Sequence, residues 1–130
     1  MKKSHIGQIS VEPGATPEKH ELKTAAFLAN FGYDVKFLKP IDLPHTHTPD
    51  IKINDKKYEI KAPQKIGKYN LDREMRDGLK QSENLIFDLR RLKSIGTRAE
   101  TKLQKDFART KKWRILWIIT HDGKMLTLAK

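Results

Sequence analysis

Hydrophobic positions switch between helical and strand spacing several times along the chain. The opening stretch, MKKSHIGQISVEPGA, has no sustained period and is expected to be an extended lead-in. From there Leu22, Ala25, Ala26 and Ala29 recur at i, i+3, i+4 and i+7, the apolar stripe of an amphipathic helix. Thr16 as N-cap, Pro17 at the first helical position and Glu18 near the positive end of the dipole predict its start, and Gly32 after Phe31 predicts its stop. Residues 33–38, YDVKFL, alternate as a strand, and the prolines of KPIDLP predict a loop or edge connection. A period of two returns in PDIKINDKKYEIK, which predicts two short strands joined by an Asn54-Asp55 turn. Ile51 and Ile53 point one way and Lys52 the other, while Glu59 and Lys61 share a face of the second strand.

The second half continues in the same manner. LDREMRDGLKQ has helical character weakened by Gly78, and NLIFDL is a short apolar run bounded by polar residues, as a buried strand would be. Arg90, Arg91 and Lys93 form a basic exit from it. Thr97 and Glu100 make a capping box for a helix reaching about Lys111, one face of which carries Arg98, Lys102, Lys105, Arg109 and Lys111. WRILWIIT is the most strand-like run, and HDGK turns it into a last strand, MLTLA. The predicted order is αβββαβαββ, an α/β fold with a mixed β-sheet flanked by helices. Residues 1–15 are expected to be a flexible lead-in or linker and residues 16–130 one domain.

Charge narrows the function. With 27 Lys and Arg against 16 Asp and Glu in 130 residues, the formal charge is +11, which favours polyanionic partners. Nucleic acid is the natural one; an anionic membrane competes, but no apolar run is long enough to span and no signal peptide is evident. The chain has no cysteine, which excludes disulfides, thiolate nucleophiles and cysteine-ligated zinc. A bound metal would need oxygen or imidazole ligands.

Asp50, Glu59 and Lys61 offer two carboxylates and an amine on one hairpin, a set suited to a hard divalent cation beside a phosphate. Glu21, on the helix face of Ala25 and Leu28, is a candidate third carboxylate. Glu and Lys are also common on solvated strands, so the hairpin alone does not fix the chemistry. His45 and His47 lie two apart and would face one side of a strand, yet without an acidic third ligand they suit a polar loop better. His20 suits a surface position in the first helical turn and His121 a turn. Trp113 and Trp117, four apart on the predicted strand, suit core or partner packing better than base stacking. Lys65, Lys68, Arg73, Arg76, Lys80, Arg90, Arg91 and Lys93 bracket the acidic hairpin in sequence, either as solubilising charges or as contacts to a phosphate backbone.

Pro49-Asp50 followed by Glu59-Ile60-Lys61 resembles the PD-(D/E)XK nuclease superfamily. Within it the stretches HELKTAAFLANFGYDV, PDIKINDKKYEIKAP and QSENLIFDL resemble the nuclease toxin domains at the C-terminus of bacterial contact-dependent growth inhibition proteins, many of which cleave tRNA. The resemblance implies a restriction-endonuclease-like fold, with Asp50 and Glu59 as metal ligands, Lys61 as catalytic lysine, Glu21 as the helix acid and Gln81 as a polar group near the site. It also implies a divalent metal, magnesium first with manganese or zinc as alternatives. The implied setting is a toxin delivered as part of a larger protein, acting on tRNA in the bacterial cytoplasm and bound by an acidic immunity protein. A DNA endonuclease of the same fold and a non-catalytic basic nucleic-acid-binding module are the alternatives.

Overall fold

A computed structural model describes residues 6–41, 43–44, 48–65, 70–92 and 97–130. Its elements are β1 (Ile9–Val11), α1 (Lys19–Asn30), β2 (Val35–Phe37), β3 (Ile51–Ile53), β4 (Lys56–Lys61), α2 (Asn70–Gln81), β5 (Asn84–Asp88), α3 (Thr97–Arg109), β6 (Ile115–Ile119) and β7 (Met125–Ala129). The strands pair in the order β1-β2-β3-β4-β5-β6-β7 as a seven-stranded mixed sheet. The predicted α/β architecture is therefore present, with one strand more than expected: Ile9–Val11, inside the predicted lead-in, pairs parallel with β2. All three residues of β1 are exposed, and a strand of three residues is too short to set up a period. Among the described residues no helix is long and apolar enough to cross a membrane. The chain divides into two compact units, residues 1–58 and 59–130.

In the first unit α1 begins at Lys19 with Glu18 as N-cap, later than the Thr16 cap predicted. The Glu18 N–H donates to Glu21 Oε1 at 2.8 Å, so the carboxylate of the first turn takes up a backbone donor that the helix cannot satisfy itself. The helix ends as predicted at Gly32, whose φ of +96° suits a residue without Cβ. Its N–H donates to Ala29 O at 2.9 Å and that of Tyr33 to Leu28 O at 3.1 Å, a Schellman closure. The buried stripe is Thr24, Ala25, Leu28 and Ala29. Leu22, predicted to face inward, is 42% exposed, and Ala26 is exposed as well. The stripe is thus rotated from the expected one, onto the face that carries Glu21.

The hairpin is as predicted. β3 pairs antiparallel with β4, Ile51 opposite Tyr58 and Ile53 opposite Lys56. Asn54 and Asp55 take φ of +50° and +67°, the two successive left-handed residues of a tight turn matched to strand twist. Ile51 and Ile53 are fully buried.

In the second unit β4, β5 and β6 run parallel and β7 closes antiparallel on β6. Leu85 and Phe87 of β5 and Leu116 and Ile118 of β6 pack in one apolar cluster with Leu71, Met75 and Leu79 of α2 and Ala99, Leu103 and Phe107 of α3, so both helices cover the same face. The predicted strand 113–120 is shorter, and Trp113 lies before it. Its ring is fully buried, edge-on to Phe107 at 5.4 Å and tilted against Phe87 at 6.3 Å, and its indole N–H donates to Ile115 O at 3.0 Å. Trp117 stays in β6, half-buried, so the two do not share a strand face. Gly78, expected to weaken α2, is buried against Leu85, so closely that a Cβ there would meet the Leu85 methyls at 3.0 and 3.1 Å. The side chain of Thr97, proposed as a cap, lies outside the described residues.

Trp113 joins a turn, a helix and a strand through one large ring. Trp113→Ala should lower unfolding free energy by about 3–5 kcal/mol in denaturant titration. A loss under about 1 kcal/mol would mean that the ring does not organise this core.

Candidate functional site

Two groups of charged side chains are built into the fold, one in each unit. In the first, Glu21 and Asp50 face each other. Glu21 is half-buried in line with the buried stripe of α1, with Ala25 at i+4 and Leu28 at i+7, so packing of those residues turns its carboxyl inward. Asp50 stands immediately before β3 and is fixed by its backbone, Leu38 N–H donating to Asp50 O at 3.0 Å. The two side chains share a hydrogen bond and line a small concavity with Thr16, Leu38, Thr48 and Pro49.

The Glu21 carboxyl is pushed up from 4.5 to about 7. Loss of water on burial is the main cause, and the adjacent charge and hydrogen bond of Asp50 add to it against the Glu18 N–H, which favours the ionised form. Two carboxyls are therefore held where they compete for charge, and a proton or a cation relieves the competition.

The second group lies on β4 and α2. Glu59 is 7% exposed, and Lys61, two residues on along the same strand face, places Nζ 3.8 Å from Glu59 Oε2. The same ammonium is 3.8 Å from Glu74 Oε2 of α2. The Lys61 stem lies against Gly78 of α2, where an added Cβ would stand 3.4 Å from Lys61 Cε, an ordinary contact. Lys61 thus runs beneath α2 with its ammonium between two carboxylates. Glu74 escaped the sequence reading, although Glu74, Gly78 and Gln81 recur at i, i+4 and i+7 on one face of α2, a signal that could have found it. Gln81 is half-buried on that row.

The basic residues separate. Lys65 and Arg73 line a concavity with Gln64, Asn70 and Glu74. Arg73, Arg76 and Lys80 follow one exposed row of α2, Lys80 facing Asp77 at 3.9 Å. Arg90 is taken up by the buried Asp88, Nε donating to Oδ1 at 2.9 Å and Nη2 to Oδ2 at 2.8 Å, a two-point clamp that closes the end of β5. Arg91 is half-buried. Lys68, Lys93, His45 and His47 lie outside the described residues. His20 sits half-buried in the first turn of α1, 3.3 Å from Glu18, and His121 lies in the turn before β7 with Nε2 3.0 Å from Leu92 O.

Oxygen donors of this kind suit a hard cation. Among the described residues no three His, Asp or Glu converge as a metal-holding group. The Glu21–Asp50 pair instead fits a cation that keeps part of its water and takes one or two protein carboxylates, as magnesium does.

The fold is shared with a chain of the CdiA-CT/CdiI toxin and immunity complex from Burkholderia pseudomallei, at 20% identity and a TM-score of 0.67, over 95% of this chain and 100% of that one. This defines the fold class, a mixed α/β sheet with helices. Residues 46–125 match the family model of the contact-dependent growth inhibition CdiA C-terminal domain, and the chain belongs to that family of bacterial toxin domains. By family it corresponds to the C-terminal part of a larger protein. No curated protein is a match.

A carboxyl that binds its proton more tightly in the folded chain than in the unfolded one disfavours folding increasingly as pH rises between the two values. For Glu21 that window runs from 4.5 to about 7. Glu21→Gln keeps an acceptor for the Glu18 N–H and removes the charge. In metal-free buffer its stability relative to wild type should rise through that window and level off above it; a difference independent of pH would contradict the buried pair.

Proposed function

We propose that the chain is a metal-dependent endonuclease of the PD-(D/E)XK type, and that it cleaves tRNA in the cytoplasm of a target bacterium. The observation that carries the proposal is the Glu21–Asp50 pair: two carboxyls brought into hydrogen-bonding contact in a half-buried concavity, where one holds a proton up to about pH 7. Such an arrangement disfavours folding of the metal-free chain at neutral pH, and a site that binds a divalent cation accounts for it.

Asp50 and Glu59 are assigned as metal ligands and Glu21 as the acid that completes the cation's environment directly or through water. Magnesium is the expected cation, with manganese or zinc as substitutes. Bound there, the cation would polarise a phosphate and lower the pKa of a water. Lys61 supplies positive charge for the phosphate, and its placement between Glu59 and Glu74 restrains the ammonium before substrate arrives. Gln81 is assigned as a polar group near the reacting phosphate. Lys65, Arg73, Arg76 and Lys80 contact the backbone of the nucleic acid, with Lys68 and Arg91 assigned to the same role on sequence alone. Arg90 contributes by closing β5 through Asp88.

The formal charge of +11 also suits an acidic immunity protein, whose complementary field would speed association. The similar fold in a toxin and immunity complex supports such a partner.

The chain should cleave tRNA with magnesium and stop in EDTA. Asp50→Ala, Glu59→Ala and Lys61→Ala should each slow cleavage by roughly a hundredfold or more while far-ultraviolet circular dichroism stays unchanged. Cleavage of duplex DNA but not tRNA would move the assignment to a DNA endonuclease, and intact substrates throughout would leave a binding module.

A further inference from the structure

The row of cations on α3 belongs to neither charged group described above. Arg98, Lys102, Lys105 and Arg109 recur at i, i+4, i+7 and i+11, one line along the helix extending about 16 Å. With Thr101 and the buried Asp106 they line a surface depression. Two of the four are braced from below: Lys102 Nζ lies 2.7 Å from Asp72 of α2 and 3.1 Å from Asp106, and Arg109 Nη2 lies 2.8 Å from Asp106. Arg98 and Lys105 are exposed between and beside them. The carboxylates thus fix the row in place while its outer edge stays cationic.

Two further observations bear on its occupant. Residues 59–130 hold 18 of the 27 basic residues and 9 of the 16 acidic ones, a formal +9 of the total +11. The large exposed hydrophobic side chains among the described residues all lie between Ile6 and Leu43. The α3 face therefore lacks the apolar or aromatic anchors on which protein interfaces concentrate their binding energy, and offers regularly spaced point charges and a hydroxyl. That is the chemistry of sequence-independent contact with phosphates.

We propose that the outer face of α3 is a docking surface for the sugar-phosphate backbone of a nucleic acid, with Arg98 and Lys105 as its main contacts. The proposal rests on the nuclease reading only in taking nucleic acid as the ligand; it assigns these residues affinity and no part in cleavage.

The test is binding of fluorescently labelled bulk tRNA, and separately duplex DNA, to the whole chain in EDTA across a salt series. Arg98→Gln with Lys105→Gln should weaken binding about tenfold at 0.1 M salt and reduce the slope of log affinity against log salt by roughly 1 to 2. The exchange Arg98→Lys with Lys105→Arg should keep both. Lys36→Gln with Lys56→Gln removes the same charge from exposed positions of residues 1–58 and should change binding far less. Equal loss in that control, an unchanged slope in the α3 variant, or loss of binding only to an acidic immunity protein would each overturn the proposal. Because binding is read without metal, failure to cleave would count against the nuclease reading alone. Weakened tRNA but unchanged DNA binding would identify RNA as the docked backbone, and the reverse would identify DNA.

Discussion

Two carboxyl groups in hydrogen-bonding contact, Glu21 and Asp50, set the terms for the first half of the chain. Neither side chain can readily withdraw. Turning α1 to carry Glu21 into solvent would expose Leu28 and Ala25, which are fully buried, and would lose the acceptor that caps the Glu18 N–H. Moving Asp50 outward would pull on Ile51, fully buried at the start of β3, and on the backbone bond from Leu38. Apolar packing thus holds an electrostatically unfavourable pair together, which is how functional sites commonly store cost within a stable fold.

The second unit solves a different problem, how to keep an ammonium close to an apolar sheet. Lys61 passes Gly78 of α2, and Glu59 and Glu74 flank its charge at 3.8 Å each. The Lys61 side chain is 19% exposed, and its charged end meets carboxylates. Elsewhere in the unit the buried acids Asp88 and Asp106 each recruit arginine or lysine, so the charges nearest the core are compensated.

Much of this was legible in the sequence, for identifiable reasons. The hairpin was readable because Asn54-Asp55 names its own turn and the isoleucines on either side alternate. β5 and β7 were readable as short runs between polar residues. β1 was not, because Ile9 and Val11 are exposed at 40% and 46% and make no buried pattern. The stripe of α1 was misplaced because alanine, leucine and phenylalanine occupy nearly every face of KTAAFLAN, and sheet packing, not periodicity, chose among them. Composition places Trp113 in a strand, whereas its ring packs between Phe87 of β5 and Phe107 of α3. Glu74 was hidden because an acid on an exposed-looking helix is common, and only the approach of Lys61 beneath Gly78 gives it a role.

The proposed role of Glu21 and Asp50 is to receive a divalent cation together. It is tested most directly by calorimetric titration of the metal-free chain with magnesium at pH 6.5, in buffers of different ionisation heat. The account predicts saturable binding that releases about one proton or less, released chiefly from Glu21, and loss of both binding and release in Asp50→Asn. Magnesium binding that is unchanged in Asp50→Asn, or no binding at millimolar metal, would contradict it.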